Sequence, residues 1–299
     1  MKQPAIAFQG VHAAHTDLAC REAYPNMTTL PCHTFEEVFA AVQSGAAELG
    51  MIPIENSHAG RVAEIHNLWP KAEVFIVAEH FQPIAHHLFA VAGTDPVDIT
   101  DVYSHPQALM QCRDSLGALG VRVHHYADTA LAAKDVARWQ EPSKAALSSA
   151  LAGDFYGLDR VRSNLQDSQD NTTVFVTISR RPVDPDRADG LVITSLLFSV
   201  RNIPAALYKA LGGFATNQVN LIKLESYIPV GVSQETAKFF ITLEGHTRDG
   251  NVQLALDELE YFCDTVDIIG TYHAAPQRFQ QPRPAPESDV CAQAPSSQV

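Results

Sequence analysis

The chain has 299 residues, of which 46% are hydrophobic, and this length and composition suit two or three packed domains. Its formal net charge of −13 excludes non-specific nucleic-acid binding, which depends on clustered Lys and Arg side chains, so no nucleic acid is expected as a partner. The chain shows neither the apolar core of a signal peptide nor a stretch of membrane-spanning length, and it is therefore predicted to be cytoplasmic, with no membrane partner.

The cysteines and histidines give no sign of a metal site. The five cysteines are scattered without a Cys-x-x-Cys pair, which predicts reduced thiols. Three close histidine pairs occur among the thirteen histidines, but no carboxylate or cysteine recurs beside them at the spacing of metal ligands. The sequence therefore predicts no bound metal.

Up to residue 180, short apolar strands alternate with helical stretches. The predicted strands are 48–54, 73–78, 88–92, 100–103 and 172–178. The predicted helices are 34–44, 106–116, 129–138 and 144–151. Such alternation is typical of an α/β domain, here residues 1–180, with mainly parallel strands.

After this domain the pattern changes twice. Residues 181–190 are rich in Pro, Asp and Arg without an apolar period and are predicted to be a linker. Residues 191–275 follow the order βαββαβ of a ferredoxin-like unit, with strands at 191–200, 219–228, 237–245 and 267–274 and helices at 204–216 and 250–263. Residues 276–299 are rich in Pro, Gln, Ala and Ser and are predicted to be a disordered tail.

Candidate binding residues lie where predicted strands run into polar clusters. Glu55, Asn56 and Ser57 directly follow one strand, Ser104 follows another, and Thr129 opens a helix. Helix starts carry unpaired N–H groups and the positive end of the helix dipole, and in an open α/β sheet they gather where ligands bind. A single Ser or Asp at such a place is usually an ordinary cap. The cluster as a whole predicts a site for a small anion or carboxylate, without identifying the ligand.

Several segments together resemble the prephenate dehydratase family of bacteria. The similar segments, in the family's order and spacing, are 53–57, 104–109, 128–130, 156–158 and 171–175, followed by 202–207 and 220–226. The resemblance covers roughly residues 5 to 275. It implies a two-lobed catalytic domain, like that of periplasmic binding proteins, with the active site between the lobes. It also implies conversion of prephenate to phenylpyruvate, water and CO₂ without metal or organic cofactor.

The resemblance assigns roles to individual residues. The family's catalytic threonine corresponds to Thr173, which would donate a hydrogen bond or proton to the departing hydroxyl. That hydroxyl is a weak acid and would need a polarising neighbour or relay. The implied substrate-binding residues are Thr16, Glu55, Asn56, Ser57, Ser104, His105, Gln107, Thr129 and Ser149.

The C-terminal unit resembles an ACT domain, a regulatory amino-acid sensor. The residues that correspond to its phenylalanine-sensing segments are Ala205, Ala206, Leu207, Asn220, Leu221, Glu225 and Ser226. The resemblance implies phenylalanine as an allosteric feedback inhibitor that binds between two such domains. A homodimer or homotetramer is therefore expected.

The chain departs from the family pattern at several positions. The family's arginine after the catalytic threonine is Val174 here, so a cation expected near the substrate is missing. The opening glycine-rich segment is altered, Ala205 replaces a glycine, and Tyr227 replaces the arginine of a Glu-Ser-Arg motif. These changes leave two alternatives open, a phenylalanine-binding regulator without catalysis and an arogenate dehydratase. A secreted solute-binding protein is disfavoured, because a signal peptide is not seen and a sensing unit is present.

Overall fold

In the computed structural model, residues 3–228 and 237–279 are described. The first lobe is built mainly from residues 5–83, and two short 3₁₀ turns, Ala63–Asn67 and Trp69–Lys71, lie between its last two strands in this stretch. Its elements are β1 (Ala5–Gln9), α1 (His15–Ala23), β2 (Thr28–Cys32), α2 (Phe35–Ser44), β3 (Leu49–Asn56), β4 (Gly60–Arg61) and β5 (Phe75–Pro83). Helix α2 begins where the Thr34 side chain accepts from the Glu37 N–H, and it ends at Gly45 in a left-handed conformation.

The second lobe follows β5 and is completed before the chain returns to the first lobe. Its elements are β6 (His87–Ala90), β7 (Asp101–Ser104), α3 (Pro106–Gln111), α4 (Arg113–Leu119), β8 (Arg122–His125), α5 (Thr129–Trp139), β9 (Lys144–Ser148), α6 (Ala150–Tyr156) and β10 (Asp159–Arg162). A 3₁₀ turn, Pro96–Asp98, precedes β7. The next strand, β11 (Thr172–Ser179), lies in the first lobe again.

Each lobe has its own mixed sheet. The first lobe has the order β2-β1-β3-β11-β5, with β4 paired to β3, and the second has the order β10-β6-β9-β7-β8. Strands β1, β2 and β3 are parallel, as are β7, β8 and β9, but β11 runs antiparallel to both its neighbours and β6 runs antiparallel to β9. The expectation of mainly parallel strands is therefore wrong. The cause is the two crossings between the lobes. Strand β6, where the chain enters the second lobe, and strand β11, where it returns to the first, both run antiparallel to their neighbours.

Two predicted helices are corrected by the structure. The alanine-rich stretch predicted as a helix at 144–151 begins with strand β9, whose residues Ala145, Ala146 and Leu147 are completely buried between β6 and β7. Burial in the centre of the sheet outweighs the helix propensity of alanine here. The helix predicted at 106–116 is broken into α3 and α4 at Cys112.

The C-terminal domain is an antiparallel sheet with two helices. Its elements are β12 (Val192–Val200), α7 (Ala206–Thr216), β13 (Leu221–Tyr227), β14 (Lys238–Glu244), α8 (Gly250–Phe262) and β15 (Cys263–His273). The strand order β13-β14-β12-β15 is that of a ferredoxin-like fold. A core that includes Leu196, Phe214 and Leu259 lies between this sheet and its helices.

The other face of this sheet packs directly on the first lobe. One continuous apolar core contains Ile52 and Ile76 of the first lobe together with Phe240 and Tyr272 of the C-terminal domain. At Gly270 the two parts approach so closely that a Cβ atom would stand 2.3 Å from the Ile76 carbonyl oxygen. The domains therefore form a packed unit.

Polar contacts fasten the two ends of the C-terminal domain. Asp184, in the segment before β12, lies 3.0 Å from His246 Nε2 and 2.6 Å from Arg248 Nη2. After β15, Arg278 donates from Nε to the Glu79 carboxylate at 2.8 Å, within the 3₁₀ turn Pro276–Phe279. The first four residues of the predicted tail thus form an anchored turn, and the rest of that prediction, 280–299, lies outside the described residues.

None of the helices within 3–228 and 237–279 combines the length and apolar character needed to cross a bilayer. In the same residues, no three His, Cys, Asp or Glu side chains gather into a group that could hold a metal ion. Four cysteines, Cys20, Cys32, Cys112 and Cys263, are buried as free thiols, and burial raises the pKa of each.

Candidate active site

A cleft between the two lobes contains most of the predicted binding residues. The chain crosses between the lobes twice, at residues 84–86 and 163–171. Between these crossings lies a cavity of about 550 Å³. Its lining includes Thr16, Asn56 and Thr173 from the first lobe and His105, Gln107 and Thr129 from the second. Six of the residues predicted from the sequence are therefore brought together.

Thr173 has the polarising neighbour that its proposed chemistry requires. Strands β3 and β11 pair so that Thr173 lies opposite Asn56, and the Asn56 Nδ2 group donates to Thr173 Oγ1 at 3.0 Å. The Asn56 Oδ1 atom accepts from the His58 and Ala59 backbone N–H groups at 3.0 and 2.9 Å. Because Thr173 Oγ1 accepts from Asn56, its own O–H remains available to donate into the cleft.

This pair is the end of a longer, partly buried hydrogen-bond network. Asn56 Nδ2 also donates to Asn171 Oδ1 at 2.8 Å, and Asn171 Nδ2 donates to Gln111 Oε1 at 3.0 Å. The same Gln111 oxygen lies 3.0 Å from His86 Nε2, which identifies that nitrogen as the donor. The network connects the first lobe to the second. It therefore holds the Asn56 and Asn171 amide groups beside Thr173 only when the two lobes are as close together as they are in this structure.

Two neighbouring histidines beside the cleft are held neutral. The His15 and His86 rings pack edge to face, with centroids 5.2 Å apart, and His15 Nε2 contacts the Ala85 carbonyl oxygen at 3.3 Å. Burial, followed by the proximity of His86, lowers the pKa of His15 to about 3. Burial also lowers the pKa of His86. At neutral pH both imidazoles are therefore uncharged hydrogen-bonding groups.

Several polar groups face the cavity without a partner in the described part of the chain. They are the side chains of Thr16, Gln107 and Thr129. Thr129 opens helix α5, whose cap Asp128 accepts from the N–H groups of Ala130 and Leu131. The Asp128 carboxylate thus occupies these N–H groups, and the hydroxyl and amide donors of the three unpaired side chains are what the cleft offers to a carboxylate ligand.

Permanent positive charge is scarce in the cleft. Among the described lining residues, Arg61 is the one with a guanidinium or ammonium group. Its Nη1 atom donates to the Ser226 carbonyl oxygen of the C-terminal domain at 2.6 Å. A carboxylate in this cleft would therefore be held mainly by neutral side-chain donors.

Four predicted substrate-binding residues do not line the cavity. The buried Ser104 hydroxyl donates to the Leu147 carbonyl oxygen at 2.6 Å, and the Ser149 hydroxyl caps α6 and donates to the Ala13 carbonyl oxygen at 2.9 Å. The Ser57 hydroxyl bridges Asp170 and Thr172 backbone groups. These three serines fasten the backbone around the cleft. The fourth residue, Glu55, pairs instead with Lys223 of the C-terminal domain.

The departure at Val174 has a structural explanation. Val174 lies opposite Glu55 and Phe81 in the sheet and is buried in the core shared with the C-terminal domain. Thr173 faces the cleft, so its neighbour in the strand faces away. In this chain a side chain at position 174 therefore lies in the core and does not enter the cleft.

The altered opening segment contains an alanine in a conformation that favours glycine. Ala13 has φ 70°, and its N–H donates to the Asp17 carboxylate at 2.7 Å. Asp17 is fully buried and also accepts from Arg21 at 3.0 Å. The same segment contains two histidines, His12 and His15. His15 lines the cleft but is neutral, and His12 lies 3.6 Å from Asp17.

The predicted sensing residues occupy two places in the C-terminal domain. Ala205 precedes α7 with φ 59°, Ala206 is buried, and Leu207 packs on the domain core. Lys238 of β14 lies opposite both Ser199, near the end of β12, and Tyr227, the last residue of β13. Helix α7 follows β12 in the chain, so its start and the end of β13 lie at the same end of the sheet. Asn220 and Leu221 lie at the other end of β13. Glu225 faces the first lobe, where its carboxylate lies 2.8 Å from His66 Nε2.

Sequence reasoning missed Asn171 as a hydrogen-bonding partner, and it missed Gln111 and His86 entirely. Asn171 precedes β11, and its position within a matched segment is the one signal that pointed to it. Gln111 and His86 come from distant segments, and their meeting depends on how the lobes close.

The fold and the cleft define a two-lobed α/β domain, with a fold like that of periplasmic binding proteins, joined to a ferredoxin-like domain. A model of the prephenate dehydratase family matches residues 6–183. A bifunctional N-acyl-homoserine lactone acylase/prephenate dehydratase from Komagataeibacter europaeus is 46% identical over 274 residues, which are 91% of this chain and 97% of that protein. The chain belongs to the prephenate dehydratase family.

Two further similarities agree with this membership. Arogenate dehydratase/prephenate dehydratase 1 of Arabidopsis thaliana, a chloroplastic protein, is 36% identical over 280 residues, 89% of this chain and 71% of that one. The crystal structure of an Arthrobacter aurescens prephenate dehydratase in complex with L-Phe has a TM-score of 0.81 and 27% identity, covering 90% of this chain and 89% of that chain.

Proposed function

We propose that this chain is a prephenate dehydratase, which converts prephenate to phenylpyruvate, water and CO₂ in phenylalanine biosynthesis. The observation that carries the proposal is the hydrogen bond from Asn56 Nδ2 to Thr173 Oγ1 in the interlobe cleft. It orients the hydroxyl of the residue that corresponds to the family's catalytic threonine.

In the proposed mechanism the substrate carboxylates are held by the side-chain donors around the cleft, among them Thr16, Gln107 and Thr129. The bond between the ring and its carboxylate breaks, its electron pair enters the ring, and hydroxide leaves from the opposite ring carbon. Thr173 donates a proton to the departing oxygen, which leaves as water, CO₂ is released, and a proton from solvent restores the Thr173 hydroxyl. General acid assistance of this kind is typically worth about 10²–10⁴-fold.

The direct test is phenylpyruvate formation from prephenate by the purified chain, with Thr173→Ala and Thr173→Ser compared. The alanine variant is expected to lose most turnover while remaining folded, and the serine variant, which keeps the hydroxyl, is expected to retain more. Turnover by Thr173→Ala close to that of the unmodified chain would refute the role assigned to this residue.

The same assay should include arogenate, since the family contains dehydratases of both substrates. Arogenate carries an ammonium group where prephenate carries a keto group. The neutral imidazoles of His15 and His86 beside the cleft are compatible with either group. A folded chain that turns over neither compound but binds phenylalanine would instead be a non-catalytic regulator.

We also propose that the C-terminal domain is an ACT domain that senses phenylalanine and inhibits the enzyme. Its ferredoxin-like topology and the matching segments at 202–207 and 220–226 support this role. The phenylalanine complex of the Arthrobacter relative supports it as well. The expected assembly is a homodimer or homotetramer, and sedimentation with and without phenylalanine tests this.

A second candidate activity is hydrolysis of N-acyl-homoserine lactones. The 46% identical Komagataeibacter relative is named for both activities. Next to the cleft lies a groove of about 630 Å³ that shares His105, Gln107 and Gln111 with it and is lined by Pro106 and Met110. Met110 exposes 69% of its surface and offers apolar contact to an acyl chain. Mass spectrometry of acyl-homoserine lactones incubated with the chain tests this, and a lack of released homoserine lactone would exclude it.

A further inference from the structure

The end of β3 connects the cleft with the C-terminal domain through two consecutive residues. Asn56 points into the cleft and binds Thr173. Glu55 points to the other face, where Lys223 of strand β13 forms an ion pair with its carboxylate. One peptide bond therefore separates a group that orients the proposed catalytic hydroxyl from a group held by the proposed sensor strand.

Lys223 is well placed to act as the connecting side chain. Its ammonium group contacts Glu55 and also lies 3.0 Å from the Glu225 carboxylate, and its side chain is only 14% exposed. Glu225 in turn lies 2.8 Å from His66 Nε2, and His66 stacks on Tyr227 with ring centroids 5.1 Å apart. These contacts give the charged end of Lys223 a fixed position against the first lobe.

The short hairpin after Asn56 has a second contact with the same strand. In β4, Arg61 lies opposite Glu55, and its guanidinium donates to the Ser226 carbonyl oxygen. The turn between the two strands is itself closed by Asn56, whose Oδ1 accepts from the backbone N–H groups of His58 and Ala59. A displacement of β13 would therefore be transmitted to the residue that both closes this turn and orients Thr173.

We propose that the Glu55–Lys223 ion pair is a positioning element through which strand β13 sets the orientation of Asn56 and Thr173. The kinetic consequences of this proposal rest on the dehydratase function proposed above. An effector bound to the C-terminal domain changes turnover only to the extent that it favours one placement of β13 over another. Glu55 and Lys223 thus act through Asn56, without touching the substrate.

A structural readout tests the link without any assumption about turnover. In the Lys223→Met variant, hydrogen exchange of the His58 and Ala59 amides is expected to rise several-fold, because the hairpin loses its anchor. Lys209→Met removes an exposed lysine of helix α7 that has no partner among the described residues; it is the matched control and should leave these amides unchanged. Unchanged exchange in Lys223→Met would overturn the proposal, whether or not the chain is a dehydratase.

Kinetics then distinguish positioning from simple stabilisation. If the chain turns over prephenate, Lys223→Met and Glu55→Gln should each lower kcat by about tenfold to a hundredfold with little change in KM, since misplacement of a catalytic group by about 1 Å has effects of this size. The double variant should be no worse than either single variant, and Lys223→Arg should retain most of the rate. Additive losses, or wild-type kcat in both single variants, would overturn the proposal. Absence of turnover in the unmodified chain would refute the dehydratase function alone and leave the exchange result to decide the link.

Discussion

The Asn56 amide nitrogen lies 3.0 Å from the Thr173 hydroxyl oxygen, and the Asn56 amide oxygen holds two backbone N–H groups of the following turn. One side chain thus joins the shape of the loop to the direction of the hydroxyl. The two hydrogen-bonding roles of Asn56 can be separated by mutation, because aspartate keeps the oxygen that accepts from the turn and loses the amide N–H that donates to Thr173.

Asn56→Asp is therefore expected to lower turnover by about a hundredfold, the size of effect typical for loss of one oriented donor in an active site. Loss of the donor to Thr173, and a negative charge beside an anionic substrate, act in the same direction. Steady-state phenylpyruvate formation measures the effect. Asn26→Asp, at an exposed position between α1 and β2, adds the same charge far from the cleft and should be neutral. Equal rates for the two variants would remove Asn56 from the mechanism.

The buried histidine His15 predicts acid sensitivity of the fold. Its pKa is lowered from 6.5 to about 3 by burial and by nearby His86, so the unfolded chain binds a proton below pH 6.5 that the folded chain does not. Stability should then fall as the pH drops from 6.5 towards 3, by up to about 1.4 kcal/mol per pH unit for this group.

Urea unfolding between pH 7 and pH 4 measures this dependence. His15→Gln keeps a donor for the Ala85 carbonyl oxygen and removes the titrating group, so its stability should depend less steeply on pH. Parallel curves for the two proteins would show that His15 does not contribute.

Ala205 is expected to be a site of backbone strain. Its φ of 59° lies in the left-handed region, which costs a non-glycine residue about 1–2 kcal/mol. Ala205→Gly should raise the free energy of unfolding by about 0.5–1 kcal/mol, since part of the relief is offset by the freedom that glycine gives the unfolded chain. Ala215→Gly, at an exposed position within α7, should have the opposite sign. A loss of stability in Ala205→Gly would contradict the assigned conformation.

The contact of Gly270 with the first lobe is expected to be intolerant of any side chain. A methyl group there would meet the Ile76 carbonyl oxygen at 2.3 Å and the Ile76 Cβ at 2.8 Å, so Gly270→Ala must push the two sheets apart. Overpacking of this kind typically costs about 1–3 kcal/mol. Thermal unfolding should show this loss, whereas Gly212→Ala, which meets no atom within 4 Å in α7, should be neutral or stabilising. Equal stability of the two variants would argue against the close packing.

The element order of the C-terminal domain and the two central residues of the site could be predicted from the sequence, because each depends on a local pattern. Polar residues directly after an apolar strand marked Asn56, and the matched segment around 171–175 marked Thr173. Strand β9 could not be predicted, because its alanines are good helix formers and only burial in a sheet assembled from distant segments makes them a strand.

The roles of Glu55 and Val174 were also out of reach of sequence reasoning. Both belong to segments whose neighbours face the cleft, and alternation along a strand sends them to the opposite face. Their partners, Lys223 and the core under the C-terminal domain, come from a unit that a linker separates in the sequence. A motif identifies a stretch of chain, whereas the side of the sheet decides which of its residues meets the ligand.

Strand β11 lies between β3 and β5, although the whole second lobe is synthesised before it. During translation the sheet of the first lobe therefore cannot be completed until the ribosome has passed Ser179. Until then, the edges of β3 and β5 that face β11 are unpaired. The second lobe, whose strands are contiguous in the chain, can fold during that interval. Thr173 belongs to the strand that completes the first sheet, so a nascent chain that stops earlier has neither a finished lobe nor the Thr173 hydroxyl of the cleft.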